Sequence, residues 1–96
     1  MNLKKQKEKV RRRARKLADE AWQAAEDGNL DLAEKIIRRA VSARKDNPVL
    51  WSDQGAILVL RGKDAEAEKS FRNALRLVPT YADAQHNLAV TRGLRS

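Results

Sequence analysis

The chain repeats itself with a period of 34 residues, and this periodicity constrains its fold more than any other feature. A shift by 34 residues places Gly28 on Gly62 and Ile37 on Phe71. It also aligns Leu17 with Trp51, Ala21 with Gly55, Ala33 with Ala67, Glu34 with Glu68, Lys35 with Lys69, Arg38 with Arg72 and Ala40 with Ala74. Repeats of this length are typical of stacked supersecondary units, each of which leaves an apolar face for its neighbour to cover.

Each repeat unit is predicted to form two helices joined by a short turn. In the second unit Asn47 followed by Pro48 predicts a helix start, because proline at the first helical position loses only an N–H without an intrahelical partner. Gly62 predicts the end of that helix, since glycine readily adopts the backbone conformation of a helix C-terminus. The next helix is predicted to start near Asp64 and to stop before Pro79.

A final helix is predicted from about Tyr81 to Arg92. Thr80 with Asp83 three residues later resembles a capping box with a shortened acid, which would open this helix. Small residues recur where the helices are expected to cross, which favours a close approach of the helix axes. These are Ala33, Ala40, Gly55, Ala67 and Ala74.

The second unit resembles the tetratricopeptide (TPR) repeat. The positions that carry the resemblance are Trp51, Gly55, Gly62, Ala67, Phe71, Ala74 and Pro79. The unit departs from the family pattern at Gln54 and Leu58, and in the first unit Leu17 stands in place of the tryptophan. The resemblance implies an all-α fold, a right-handed α-solenoid of about five helices, with repeats over residues 14–47 and 48–81 and a closing helix over 82–96.

The excess of positive charge lies entirely in the first 16 residues. That segment has nine basic residues and one acidic residue, whereas the twelve basic and twelve acidic residues that follow cancel. We expect residues 1–13 to form a basic arm that extends the first helix, over about Leu3 to Glu26. Leu3, Val10 and Leu17, spaced seven apart, predict a weak apolar stripe along it.

The resemblance to TPR proteins also implies a concave groove that binds an extended peptide or a partner helix. Carried over by position, the groove would be lined by Ala18, Trp22, Ala25, Ser52, Ala56, Val59, Leu60, Asp83, His86, Val90 and Leu94. Helical spacing independently places Ala18, Trp22 and Ala25 on one face. Some TPR proteins hold a C-terminal carboxylate with Lys and Asn, but here Asp53 and Asp83 stand near that site. We therefore expect the groove to bind an apolar peptide or helix and not a carboxylate terminus.

Two alternative functions remain open at this stage. The basic segment could contact RNA, a ribosome or another nucleic acid nonspecifically, since residues 1–21 contain no aromatic side chain to stack on a base. The cations available for this are Lys4, Lys5, Lys7, Lys9, Arg11, Arg12, Arg13, Arg15 and Lys16. The chain could instead be a self-associating structural unit, for example a homodimer, whose groove is filled by the arm or by a second copy.

The composition lacks the residue types that most often carry out catalysis. His86 is the only histidine, and the chain has no cysteine and no glycine-rich phosphate loop. We therefore expect a non-enzymatic protein without a cofactor or metal. No segment approaches the roughly 18 consecutive apolar residues of a membrane span. Without a secretory signal, a cytoplasmic location is expected, and the lack of cysteine is compatible with a reducing compartment.

Overall fold

The computed structural model describes residues 2–95, with side chains up to Leu94. These residues form five helices and no strand: α1 (Leu3–Glu26), α2 (Leu30–Ala43), α3 (Pro48–Leu60), α4 (Asp64–Leu77) and α5 (Ala82–Arg95). The predicted all-α architecture with about five helices is therefore confirmed. Met1 and Ser96, the outer ends of the predicted arm and closing helix, lie outside the described residues.

The helices stack in two layers. Each helix packs on the next along the chain, and α3 also touches α1 and α5. Short connections make consecutive helices antiparallel, so α1, α3 and α5 run in the same direction. We call these three the first-helix layer, and α2 and α4 the second-helix layer. The molecule measures 52 × 32 × 16 Å, and its smallest dimension corresponds to about two helices.

The repeat is visible in the way that α1 and α3 end. Gly28 and Gly62 have φ angles of +83° and +75°, in the left-handed region that favours glycine. Both ends form a Schellman motif. The amide of Asn29 donates to the carbonyl of Ala24 at 2.8 Å, and that of Lys63 donates to Leu58 at 2.9 Å. These turns reverse the chain at equivalent points of the two units.

Asparagine side chains open three of the helices. Oδ1 of Asn47 accepts from the amide of Val49 at 2.9 Å, with Pro48 at the first helical position as predicted. Asn2 and Asn29 cap α1 and α2 in the same way. The capping box predicted at Thr80 is wrong, because α5 begins at Ala82. Tyr81 is consequently the residue that precedes the helix, and its carbonyl accepts from Gln85.

The core lies between the two layers and is built on small residues. Ala33, Ala40, Ala67 and Ala74 are completely buried, as the 34-residue spacing indicates. Phe71 is also completely buried, with its ring directly over Gly55. The helices therefore approach closely because alanine and glycine occupy their crossing points.

The basic arm continues α1 as helix, but its apolar stripe does not pack. At 1.5 Å per residue, α1 is about 36 Å long and α2 about 21 Å, so α1 projects beyond its neighbour. Leu3 is 71% exposed and Val10 is 41% exposed. Burial begins at Ala14. The apolar stripe predicted along the arm is therefore exposed at Leu3 and Val10, because no helix lies opposite them.

Candidate functional site

A concavity of about 460 Å³ lies between α1 and the beginning of α3. Its wall on α1 consists of Arg11, Arg15, Ala18, Asp19 and Trp22, at helical spacings of three and four. The opposite wall is formed by Asn47, Val49, Leu50 and Asp53, with Arg44 at one end. Ala18 and Trp22, both predicted groove residues, are therefore brought together in one depression of the first-helix layer.

The carboxylate of Asp53, in this concavity, has a pKa that departs from its ordinary value. Partial burial raises its pKa to about 6, and the negative charge of Asp19 adds to the shift. A hydrogen bond from the Trp22 side chain opposes it, because that bond stabilises the charged form. Near neutral pH the concavity thus holds the partly desolvated carboxylate of Asp53. Its hydrogen-bonding capacity is filled only in part, by the Trp22 side chain.

A third carboxylate, that of Asp83, lies at the start of α5. Burial raises the pKa of the Tyr81 hydroxyl, and the charges of Asp83 and Asp53 raise it further, while a hydrogen bond with Ser52 opposes the shift. Asp53 and Asp83 are therefore close enough to act on the same phenol. Asp19, Asp53 and Asp83 come from the three helices of the first-helix layer, and we call them the acidic row.

The predicted groove residues differ in accessibility. Ala18 and Ser52 are buried at 7% and 5% exposure, so they lie beneath the surface. Trp22, Ala25, Ala56 and Val59 are partly buried. The exposed members are Leu60, His86, Val90 and Leu94. Leu60 and Leu94 are 55% and 62% exposed, so the apolar part of the predicted groove faces solvent.

The nine basic side chains lie on the N-terminal part of α1, most of which projects beyond α2. All nine cations are exposed. Arg12 pairs with Glu8 at 3.7 Å, one helical turn away. Because residues 3–13 continue the axis of α1, they do not fold back over the predicted groove. The sequence-based idea that the arm of the same chain fills the groove is therefore wrong.

The predicted site residues did not include Asp19, Tyr81 or Arg44. Asp19 and Arg44 nevertheless line the concavity, and Tyr81 forms a hydrogen bond with Ser52. The repeat itself carried a signal for Asp19, because the 34-residue shift that aligns the core alanines also places Asp19 on Asp53. Tyr81 precedes α5 and reaches Ser52 only through the packing of α5 on α3. The periodicity of residues within one helix does not indicate which residues of another helix they contact.

Two searches for other kinds of site found nothing in the part of the chain that the structure describes. There is no group of three or more His, Asp or Glu residues placed to hold a metal ion. None of the described helices combines the length and the apolar character that a membrane crossing requires.

Comparison with known proteins identifies the type of fold. No family model matches the chain. The chain is 35% identical over 54 residues to a peroxisomal targeting signal receptor of Eremothecium gossypii, and 37% identical over 54 residues to that of Candida albicans. Each match covers 56% of this chain and about a tenth of the relative, at 10% and 9%.

A solved structure gives a longer match. It is described as the second TPR of Spaghetti (RPAP3) bound to the HSP90 peptide SRMEEVD. It superimposes with a TM-score of 0.80 at 22% sequence identity, over 85% of this chain and 76% of that one. The chain therefore has a TPR-like helical repeat fold, as its 34-residue period predicted.

Proposed function

We propose that this chain is a non-enzymatic protein-interaction module that binds a peptide or a helix of another protein on its first-helix layer. The observation that carries the proposal is the exposed apolar surface at the C-terminal ends of α3 and α5. Leu60, Val90 and Leu94 are 55%, 48% and 62% exposed. Neighbouring exposed apolar side chains are characteristic of interaction surfaces.

Two further findings support this proposal. Trp22 lies in the α1–α3 concavity with one side against the core, so its ring is held in place while part of it stays accessible. Rigid aromatic side chains of this kind are frequent at the centre of protein interfaces. In addition, the structural neighbour is described as bound to a peptide, which shows that a fold of this type accommodates one.

The binding of a C-terminal carboxylate is not part of the proposal. The peptide of the structural neighbour, SRMEEVD, is acidic. Here Asp19 and Asp53 line the concavity, and the charges of Asp53 and Asp83 both act on Tyr81. Carboxylates placed together repel a further carboxylate, most strongly where they are partly desolvated.

Selection from a random peptide library with the whole chain as the target tests the proposal. Peptides that bind the groove should bind at least about tenfold more weakly to the double variant Leu60→Ser, Val90→Ser, because both changes remove exposed apolar contact area. Circular dichroism should show unchanged helicity, since neither side chain is part of the core. Leu32→Ser in α2 is the matched control, because Leu32 is 43% exposed in the second-helix layer.

Some results of this experiment would contradict groove binding or its specificity. Selected peptides that bind the double variant and the wild type equally well would contradict groove binding, as would a library that yields no binder. A loss of binding in the Leu32→Ser control as well would show that the effect is not specific to the groove.

A further inference from the structure

The helices of the first-helix layer share an order of side chains along one face. On α1, Asp19 is followed by Trp22. On α3, Asp53 is followed by Ala56 and Leu60, and on α5 Asp83 is followed by Val90 and Leu94. The spacings of three, four and seven keep each set on one side of its helix. Each helix therefore presents an acid first and apolar side chains one to three turns later.

The parallel direction of these helices turns that order into two rows. Since α1, α3 and α5 run the same way, Asp19 and Asp53 occupy equivalent positions of two helices, and Asp83 lies one turn nearer the start of α5. The apolar side chains form a second row beside it, towards the C-terminal ends of the helices. The charge of Asp19 acts on Asp53, and the charges of Asp53 and Asp83 both act on Tyr81, which agrees with this arrangement.

The acids of the acidic row have no ion-pair partner among the described residues, although Arg11, Arg15 and Arg44 line the same concavity as Asp19 and Asp53. Within residues 2–94, no basic side chain forms an ion pair with Asp19, Asp53 or Asp83, whereas nine such pairs occur elsewhere. Arg15 lies one turn before Asp19 but does not pair with it. Together, the unpaired acids and the exposed apolar row match a ligand that is basic along one edge and apolar along the other.

We infer that the groove binds a cationic amphipathic segment of another protein, with Lys or Arg side chains on the acidic row and apolar side chains against Leu60, Val90 and Leu94. This inference rests on the proposed function and specifies the chemistry of its partner. A partner cation would pair with Asp53 in a partly desolvated place, where a charge-assisted hydrogen bond is stronger than at the open surface. Arg15 and Arg11 lie about one and two turns before Asp19 on α1, where they would repel a cation of the partner. The cationic part of the partner is therefore limited to the acidic row.

The test uses a set of matched synthetic peptides and the whole chain. The first contains only Lys and Leu, patterned so that its helix has one basic and one apolar edge. The second has Glu in place of each Lys, and the third has Gln. Binding is measured by calorimetry, and the binding surface is mapped by amide chemical shifts around Asp53 and Leu60.

We expect the Lys–Leu peptide to bind in the groove. Its affinity should fall about tenfold in the double variant Asp19→Asn, Asp53→Asn, which removes two charge-assisted contacts. Glu20→Gln is the matched control, because Glu20 is an exposed acid of α1 that borders α2 and lies outside the concavity. That variant removes one negative charge, half the change of the double variant, and should bind as the wild type does.

Three results would overturn the inference. In one, the Gln peptide binds in the groove as tightly as the Lys peptide, which would leave groove binding intact and exclude the role of the cations. In another, the double Asn variant and Glu20→Gln behave alike. In the last, light scattering shows a wild-type dimer that Asp53→Asn dissociates, which would make a second copy of the chain the occupant. The failure of all three peptides, together with that of the library, would contradict the proposed function itself.

Discussion

At the scale of single residues, the ring of Phe71 packs directly against the backbone of Gly55. A β-carbon built on Gly55 would lie 2.7 Å from Cδ1 and Cζ of the Phe71 ring, well inside van der Waals distance. Phe71 is completely buried, so a shift of its ring would disturb the close-packed side chains around it. Glycine is therefore required here by packing, although it is a poor helix former.

We expect Gly55→Ala to lower the free energy of unfolding by about 1–2 kcal/mol, because overpacking outweighs the gain of helix propensity. Urea denaturation of the variant and the wild type measures this. Gly93→Ala is the control, since a β-carbon there meets nothing within 4 Å. That change should raise the free energy of unfolding by up to about 1 kcal/mol. A stabilised Gly55→Ala variant would contradict the packing explanation.

At the scale of the helices, a buried acid joins the two repeat units. Glu34 of α2 accepts from Arg38 at 2.8 Å and from Arg61 at 2.9 Å, and Lys63 lies 3.0 Å from it. Arg61 and Lys63 belong to the turn between α3 and α4. Burial raises the pKa of Glu34, but hydrogen bonds and charges from Lys63 and Arg38 outweigh this and lower it to about 2. The ion pairs therefore tie the first unit to the second.

This cluster predicts a dependence of stability on pH. The folded-state pKa of Glu34 lies below its ordinary value of 4.5, so its contribution is fully present above pH 4.5 and is lost as the pH falls towards 2. The difference corresponds to about 3 kcal/mol. Glu34→Gln should lower the free energy of unfolding at neutral pH by about 2–3 kcal/mol and flatten its fall below pH 4.5.

Urea denaturation at a series of pH values measures both effects. Glu66→Gln serves as the control, because the Glu66 side chain binds Arg38 of the same cluster at 3.1 Å but is 54% exposed. We expect it to change the free energy of unfolding by less than about 1 kcal/mol. Equal effects of the two substitutions would mean that burial does not set the strength of these ion pairs.

At the scale of the whole molecule, the basic arm is an extension that the core does not need. The outer part of α1 is exposed on all sides, and its first deeply buried side chain is Ala14, at 1% exposure. The nine cations therefore lie on a projecting helix, away from the apolar row of α3 and α5. Of these nine cations Arg11 and Arg15 line the concavity of the candidate groove, and the others belong to a different part of the fold.

Deletion of residues 2–10 should change the melting temperature by only about 2–4 °C, because it removes almost no buried surface. Deletion through residue 18 should abolish cooperative unfolding, since Ala14 and Ala18 of the core are lost. Thermal melting followed by circular dichroism measures both. Groove binding should survive the shorter deletion, whereas binding to RNA through the basic segment should weaken sharply.

Much of the fold follows from the sequence. The period of 34 residues, the alanines at the crossing points and the glycines after α1 and α3 are local features, and each acts through the backbone of its own helix or turn. They predicted the number of helices and the positions of most helix ends. Thr80 was assigned wrongly because the choice between neighbouring cap residues depends on how α5 packs.

The candidate site could be predicted only in part. A position in the repeat indicates the face on which Trp22, Leu60 or Val90 lies, but it does not indicate exposure. Ala18 and Ser52 share the predicted face and are nevertheless buried, because neighbouring helices cover them. Leu3 and Val10 have the spacing of a core stripe and are exposed, because no helix lies opposite.

The sequence by itself determined the helical repeat, its turns and the separation of a basic segment from a neutral body. Those properties depend on residues that are close along the chain, so periodicity and composition contain them. Only the tertiary structure decided that Asp53 is partly buried beside Trp22 and Asp19, and that Asp53 and Asp83 both act on Tyr81. These effects arise from the packing of three helices that are separated along the chain, and interactions of that kind exist only once those helices are packed together.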